Sequence, residues 1–258
     1  MDEPPPDVPA LCTRGLTRHF GGLAAVREVS LECRMREVHA VIGPNGAGKT
    51  TLINMLSGDL APSGGAVLLN GQDITGLDAH RISRLGVARS YQKTNVFLPF
   101  TVFENCRLAA QSRLKSSMRF FRPALANRAV NDAAGRALAA AGLEGRAGTP
   151  VAALSHGEQR QVEIAMTLAT APSVLLLDEP LAGMGAEESQ RIVELLQRLA
   201  AQHAILLVEH DMDAVFAVAD VLTVMVNGSI LESGTPEQIR SSRAVQEAYL
   251  GTEEVLHE

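Results

Sequence analysis

Eight consecutive residues, Gly43, Pro44, Asn45, Gly46, Ala47, Gly48, Lys49 and Thr50, fit the spacing G-x-x-x-x-G-K-[ST]. Glycines in that pattern let successive backbone N–H groups curl around a phosphate. The lysine can reach the outer phosphates of a nucleotide, and the Thr50 hydroxyl is a hard oxygen suited to magnesium. The apolar run Val38–Ile42 precedes the loop and a helical run over residues 51–56 follows it, which is the context this chemistry needs. Thr51 then belongs to the first helical turn, where the helix dipole favours an anion. The chain holds 22 glycines but only three lysines, Lys49, Lys93 and Lys115, so a glycine-rich turn ending in lysine here by chance is improbable.

A second constellation follows the apolar residues 174–177, where Asp178 and Glu179 stand side by side. The carboxyl ends of strands are where open α/β sheets hold their ligands. There Asp178 can hold the hydration shell of magnesium. Successive strand side chains point to opposite sides, which places Glu179 to polarise an attacking water.

These groups need a rigid sheet behind them. Short apolar runs at Val38–Ile42, 67–69, 174–177, Ala204–Val208 and Val221–Val226 are separated by helical stretches, the pattern of buried strands in a mostly parallel α/β sheet. Asn227-Gly228 between Val221–Val226 and residues 229–232 predicts a two-residue hairpin. Helical periodicity is clearest over 159–169, 187–201 and 236–249, and no internal repeat is found. Residues 1–9 carry four prolines and three acids and are expected to be a disordered tail.

Between the two phosphate-site motifs lies Leu154-Ser155-His156-Gly157-Glu158-Gln159, leading into a helix. This resembles the signature of ABC-type ATPases, and the resemblance runs from about residue 11 to 251. It implies an ABC cassette of the P-loop NTPase class, α/β, with a RecA-like core, an antiparallel β subdomain and a helical subdomain over about 93–170. The folded domain would span 10–251, followed by a tail over 252–258.

By the same resemblance Gln92 matches the glutamine that senses magnesium and the attacking water. His210 matches the switch histidine at the γ-phosphate, and Phe20 the aromatic that stacks on adenine. Ser155, Gly157 and Glu158 would contribute a second phosphate-binding surface completing the site of a partner subunit. The implied ligands are ATP and Mg2+, the metal on Thr50, Gln92 and Asp178; Lys49, Gln92, Glu179 and His210 would be the catalytic set. Two positions depart from the pattern. His156 and Glu158 replace the usual Gly and Gln, a change tolerated in the amino-acid-uptake branch, and Gly185 replaces the acidic or amide residue that commonly closes the D-loop.

The segments 88–92, 208–212, 234–239 and 247–251, with the long insertion after Asn105, narrow the resemblance to the larger ATP-binding subunit of branched-chain (hydrophobic) amino acid importers. The ATPase of lipopolysaccharide export is similar over much of the chain but typically has a shorter segment after the glutamine loop. The implied partners are integral membrane permease subunits, a second ATP-binding subunit, identical or related, and indirectly a periplasmic substrate-binding protein. The implied location is peripheral, on the cytoplasmic side of the inner membrane.

Composition agrees with a soluble globular chain. At 258 residues and about 150 residues per domain, the length allows roughly 1.7 domains, and hydrophobic residues are 46%. No apolar run approaches the roughly 18 residues of a membrane-spanning helix. The net charge of −6 argues against nucleic acid as a partner. Translational and DNA-repair ABC ATPases add a second cassette or a coiled coil, neither of which is found. A regulatory module without turnover is disfavoured by the presence of Glu179 and His210. Three scattered cysteines, Cys12, Cys33 and Cys106, read as small core residues of a reducing compartment. Residues 105–131 hold six positive charges and no acid, a surface suited to lipid headgroups or a partner near the membrane.

Overall fold

The computed structural model describes residues 8–91, 95–114 and 127–253, with side chains assigned up to Tyr249. A parallel sheet is built from β4 (Val38–Ile42), β7 (Val87–Ser90), β8 (Val174–Asp178), β9 (Ala204–Val208) and β10 (Val221–Val226), with β11 (Ser229–Gly234) antiparallel on one edge. The spatial order is β11-β10-β4-β9-β8-β7. The hairpin turn falls on Asn227 and Gly228, both with positive φ, 51° and 82°, as a two-residue turn of that hand requires.

The predominance of apolar residues in these strands is explained by burial on both faces. Val38, Ala40, Ile42, Leu175, Leu177, Ile205 and Leu207 pack on one side. Val41, Val174, Leu176, Ala204, Leu206 and Val208 pack on the other. Alternating side-chain direction sends successive residues to different layers, so both sets are mostly apolar, and the buried polar residues His39 and Thr223 bond each other at 2.8 Å. Against the first face pack α5 (His156–Ala169), α6 (Ala186–Ala200) and α7 (Met212–Val218), with α3 (Val102–Gln111) and α4 (Arg128–Ala141) extending the layer outward. Against the second lie α1 (Lys49–Ser57), α2 (Ala79–Leu85) and an antiparallel sheet of β1 (Leu11–Phe20), β2 (Leu23–Val29), β3 (Glu32–Cys33), β5 (Gly64–Leu69) and β6 (Gln72–Asp73).

The sequence reading differs in detail at the ends. The single helix expected over 236–249 is two, α8 (Pro236–Ser241) and α9 (Arg243–Glu253), because Ser242 is extended at φ −73°, ψ 120°. Its hydroxyl bonds the Glu232 carboxylate and accepts from the Val245 N–H, which caps the new helix. Helix α9 reaches Glu253, past the expected start of the tail at 252, while residues 1–7 and 254–258 lie outside the described residues. At the other end Ala10 is already buried, and its carbonyl accepts from the Asn70 N–H at 2.9 Å.

Candidate phosphate-binding site

Four loops leave the carboxyl ends of β4, β7, β8 and β9, four adjacent or near-adjacent strands of one sheet, and each carries residues the sequence singles out. Residues 43–50 follow β4, Glu179 follows β8 and His210 follows β9. Gln92 lies just beyond β7 and outside the described residues.

The loop after β4 is held by close backbone packing. Gly43 has φ 150°, and a Cβ there would fall 2.1 Å from the Met225 oxygen; Gly48 has φ 98°, and a Cβ would fall 2.4 Å from the Ala25 oxygen. The N–H of Gly228, at the hairpin turn, donates to Ala47 O at 3.0 Å. Gly48 caps α1 without a side-chain hydrogen bond, and no acid stands in its first turn. The first amides of α1 therefore face outward with the positive end of the helix dipole, a ready anion site. Lys49 is buried and its ammonium donates to Gly43 O at 2.6 Å and Pro44 O at 3.0 Å. Burial lowers its pKa, opposed by the nearby charges of Glu179 and Asp178. Thr50 is exposed and Thr51 half-buried on the same turn.

Asp178 is 3% exposed and pairs with the Arg89 guanidinium at 2.9 Å. Arg89, on β7, also reaches Asp59 at 2.9 Å, Asn54 at 2.6 Å and Ser57 at 3.0 Å. Glu179 takes φ 48°, a left-handed conformation that is rare for a residue with a side chain and gathers at functional sites. Its N–H is anchored on Val208 O at 2.8 Å. The His210 ring nitrogen lies 3.9 Å from the Glu179 carboxylate, so the two residues form one cluster although 31 positions separate them in the chain. Phe20, 47% exposed, sits at the tip of the β1–β2 hairpin with the Arg18 guanidinium 4.8 Å from its ring centre.

The signature residues open α5. Ser155 and Glu158 form a capping box: the Ser155 hydroxyl accepts from the Glu158 N–H at 3.3 Å, and the Glu158 carboxylate accepts from the Ser155 N–H at 2.9 Å. Glu158 also pairs with Arg146 at 3.2 Å. The structure thus gives Glu158 a helix-capping contact. Gly157 is buried, and Ser155 and Gly157 both engage Glu188 of α6 rather than the loop after β4.

Three buried charges escaped the sequence reading. Arg160 bonds Tyr91 O and Asp178 O, each at 2.7 Å, and Glu163. Glu163 in turn accepts from the Asn95 N–H at 2.9 Å. Glu209, fully buried, accepts from Leu181 N at 2.7 Å and His210 N at 3.1 Å. The available signal was a charged residue inside an otherwise apolar face: Arg160 and Glu163 at i,i+3 on α5, and Glu209 directly after the apolar run of β9.

The Thr50 hydroxyl and the Asp178 carboxylate are hard oxygens of the kind that magnesium takes. A cleft of about 270 Å³ between α2, β7 and α5, lined by Tyr91, Asn95 and Met166 among others, lies beside this site rather than in it. Among the described residues no helix is long and apolar enough to cross a membrane.

The family model described as ABC transporter matches residues 26–182, and one described as Branched-chain amino acid ATP-binding cassette transporter matches 229–255. Over 250 residues the chain is 41% identical to the High-affinity branched-chain amino acid transport ATP-binding protein LivG of Salmonella typhimurium, covering 94% of this chain and 98% of that one. It is 40% identical over 250 residues, with the same coverage, to the High-affinity branched-chain amino acid transport ATP-binding protein BraF of Pseudomonas aeruginosa. A solved ATP-binding cassette of an ABC transporter in its ADP conformation superposes with TM-score 0.84 at 29% identity, covering 94% of this chain and 98% of that one. A nucleotide-free cassette gives 0.83 at 28%, covering 93% and 98%.

Proposed function

The chain belongs to the ABC transporter family of ATP-binding proteins, and from that premise we propose that it hydrolyses ATP to power uptake of branched-chain amino acids through membrane permease subunits. The observation that carries this reading is likeness along nearly the whole chain, 94% of it against 98% of its relatives, together with the presence of Lys49, Gln92, Glu179 and His210 at the positions the family resemblance assigns to hydrolysis.

In this reading the triphosphate lies on the amides of residues 43–51. Lys49 exchanges its two carbonyl contacts for phosphate oxygens, a move assisted by the cost of keeping its ammonium buried. Magnesium, held by Thr50, Asp178 and Gln92, would neutralise charge on the phosphates. Glu179 accepts a proton from water as that water attacks the γ-phosphorus in line and the bond to the bridging oxygen of ADP breaks. His210, beside Glu179, steadies the γ-phosphate. Phe20 stacks on adenine with Arg18 behind its ring. Ser155 and Gly157, with Glu158 capping their helix, complete the site of a second ATP-binding subunit.

The exposed Phe97, Leu98 and Phe100, next to the cleft by Tyr91, give the permease subunits an apolar surface on the cytoplasmic side of the inner membrane. Of the positive stretch, Arg107, Arg113 and Arg128 are among the described residues, while residues 115–126 lie outside them.

Uptake of labelled leucine, isoleucine and valine by cells with and without this subunit tests the transport reading; equal uptake would sink it. Glu179→Gln should bind ATP yet lose about 10²- to 10⁴-fold in turnover, the usual contribution of a positioned general base. A variant with wild-type turnover would remove Glu179 from the mechanism.

A further inference from the structure

We propose that Glu188 is a nucleotide-discriminating residue: its carboxylate occupies the signature's phosphate-binding groups in the single cassette, and only a γ-phosphate presented by a second cassette displaces it. This rests on the reading of Ser155 and Gly157 as a phosphate surface acting across a subunit interface.

One oxygen of Glu188 receives both groups in question. The Ser155 hydroxyl donates to Oε1 at 2.9 Å and the Gly157 N–H donates to the same Oε1 at 3.3 Å. Space has been left for the carboxylate. A Cβ at Gly157 would come within 2.8 Å of the Glu188 Cδ and 2.9 Å of Oε1, so the missing side chain at 157 admits this carboxylate. Glu188 stands in the first turn of α6 but directs its charge to the N-terminus of α5. The neighbouring contact runs the same way: a Cβ on Gly183 would lie 3.7 Å from the His156 ring nitrogen, so the turn that leads into α6 lies directly against the signature.

The chemistry is competition between two anions for one set of donors. A carboxylate and a phosphate cannot share the Ser155 hydroxyl and the Gly157 amide, because like charges at that separation repel. A γ-phosphate brings more charge and more acceptor oxygens than one carboxylate, so it can win the donors. ADP has no γ-phosphate and leaves Glu188 in place. The signature thus stays closed to a spent nucleotide and opens to ATP.

The test uses the full chain in the Glu179→Gln background, with ATP-dependent dimerisation followed by light scattering over a nucleotide titration. Glu188→Ala and the neutral Glu188→Gln should lower the ATP concentration of half-dimerisation by about 10-fold and a smaller factor respectively, since charge-assisted hydrogen bonds are the strong ones. Glu188→Asp, with a shorter arm, should fall between alanine and wild type. An unchanged midpoint in all three overturns the proposal. A raised midpoint also overturns it, because Glu188 would then be orienting Ser155 for the partner's nucleotide. If the chain with Glu188 intact dimerises with ATP equally well as Ser155→Arg, or does not dimerise with ATP at all, the shared-site reading fails and the proposal with it. Thermal melting of each variant separates these outcomes from misfolding.

Discussion

Arg160, on the first turns of α5, donates to the main-chain oxygen of Asp178 at 2.7 Å, one residue before Glu179. The same guanidinium donates to the oxygen of Tyr91, one residue before Gln92, and pairs with Glu163, which holds the Asn95 N–H beyond that loop. A single buried cation therefore ties the signature helix to the ends of β7 and β8. Removing it by Arg160→Met should cost about 3–5 kcal/mol, because Glu163 is left charged and unpaired in the interior. The double change Arg160→Met with Glu163→Leu should recover most of that stability, as buried pairs exchanged for apolar residues often do. It should not recover turnover, since the Asp178 and Tyr91 carbonyls still lack their donor. Chemical denaturation and steady-state ATPase assays separate the two effects, and full recovery of turnover would refute the positioning role.

Gly43→Ala should abolish nucleotide binding and destabilise the fold by about 2–4 kcal/mol. The added methyl meets the Met225 oxygen at 2.1 Å in a backbone conformation that side chains rarely adopt, and neither atom is at the end of a flexible arm. Nucleotide affinity by calorimetry and a thermal melt check this. Wild-type affinity would mean that the loop is not the phosphate cradle.

Burial pushes the Glu209 carboxyl above the usual glutamate range, against the lowering effect of the Leu181 and His210 amides and of the His210 ring, with Glu179 adding to the rise. The folded state then binds this proton more tightly than the unfolded chain. The stability contributed here falls as pH rises from the ordinary glutamate value through the raised one, and returns on acidification. Wild type should therefore gain on Glu209→Gln as pH is lowered from 7 into that window, by up to about 1.4 kcal/mol per pH unit. Melting temperatures of both proteins, followed from neutral pH down to the ordinary glutamate range, give the slope, and parallel curves would show that Glu209 does not titrate on unfolding.

The three thiols should be inert in the native protein. Burial raises Cys106 to about 12, and Cys33 and Cys12 are raised for the same leading reason. Thiolate is the reactive form, so a thiol-specific reagent at pH 8 should label none quickly in buffer and all three in denaturant. Rapid native labelling of any one would contradict its burial.

The loops proposed to be catalytic stand out in the sequence because their chemistry is local. Residues 43–50 would carry the anion cradle in one stretch, and Asp178 ends a strand marked by its apolar neighbours with Glu179 directly after it. Asn227-Gly228 announced its turn because positive φ at two successive positions restricts residue choice. The break at Ser242 was not legible: the periodicity on either side suits a helix, and only the contact with Glu232, ten residues back, makes a new cap there.

From its sequence alone this protein is identified as an ATP-binding cassette, with its loop, carboxylate pair, signature and switch histidine in order, because such motifs encode backbone geometry and reactive groups within a few residues. Only the tertiary structure decided which distant charges meet. Arg89 on Asp178, Arg160 on the carbonyls of Asp178 and Tyr91, Glu209 on the Leu181 amide, and Glu188 on Ser155 and Gly157 join segments separated by 18 to 89 positions. A side chain's partner across such a distance is chosen by how the sheet and helices pack, and packing leaves no periodic trace in the chain.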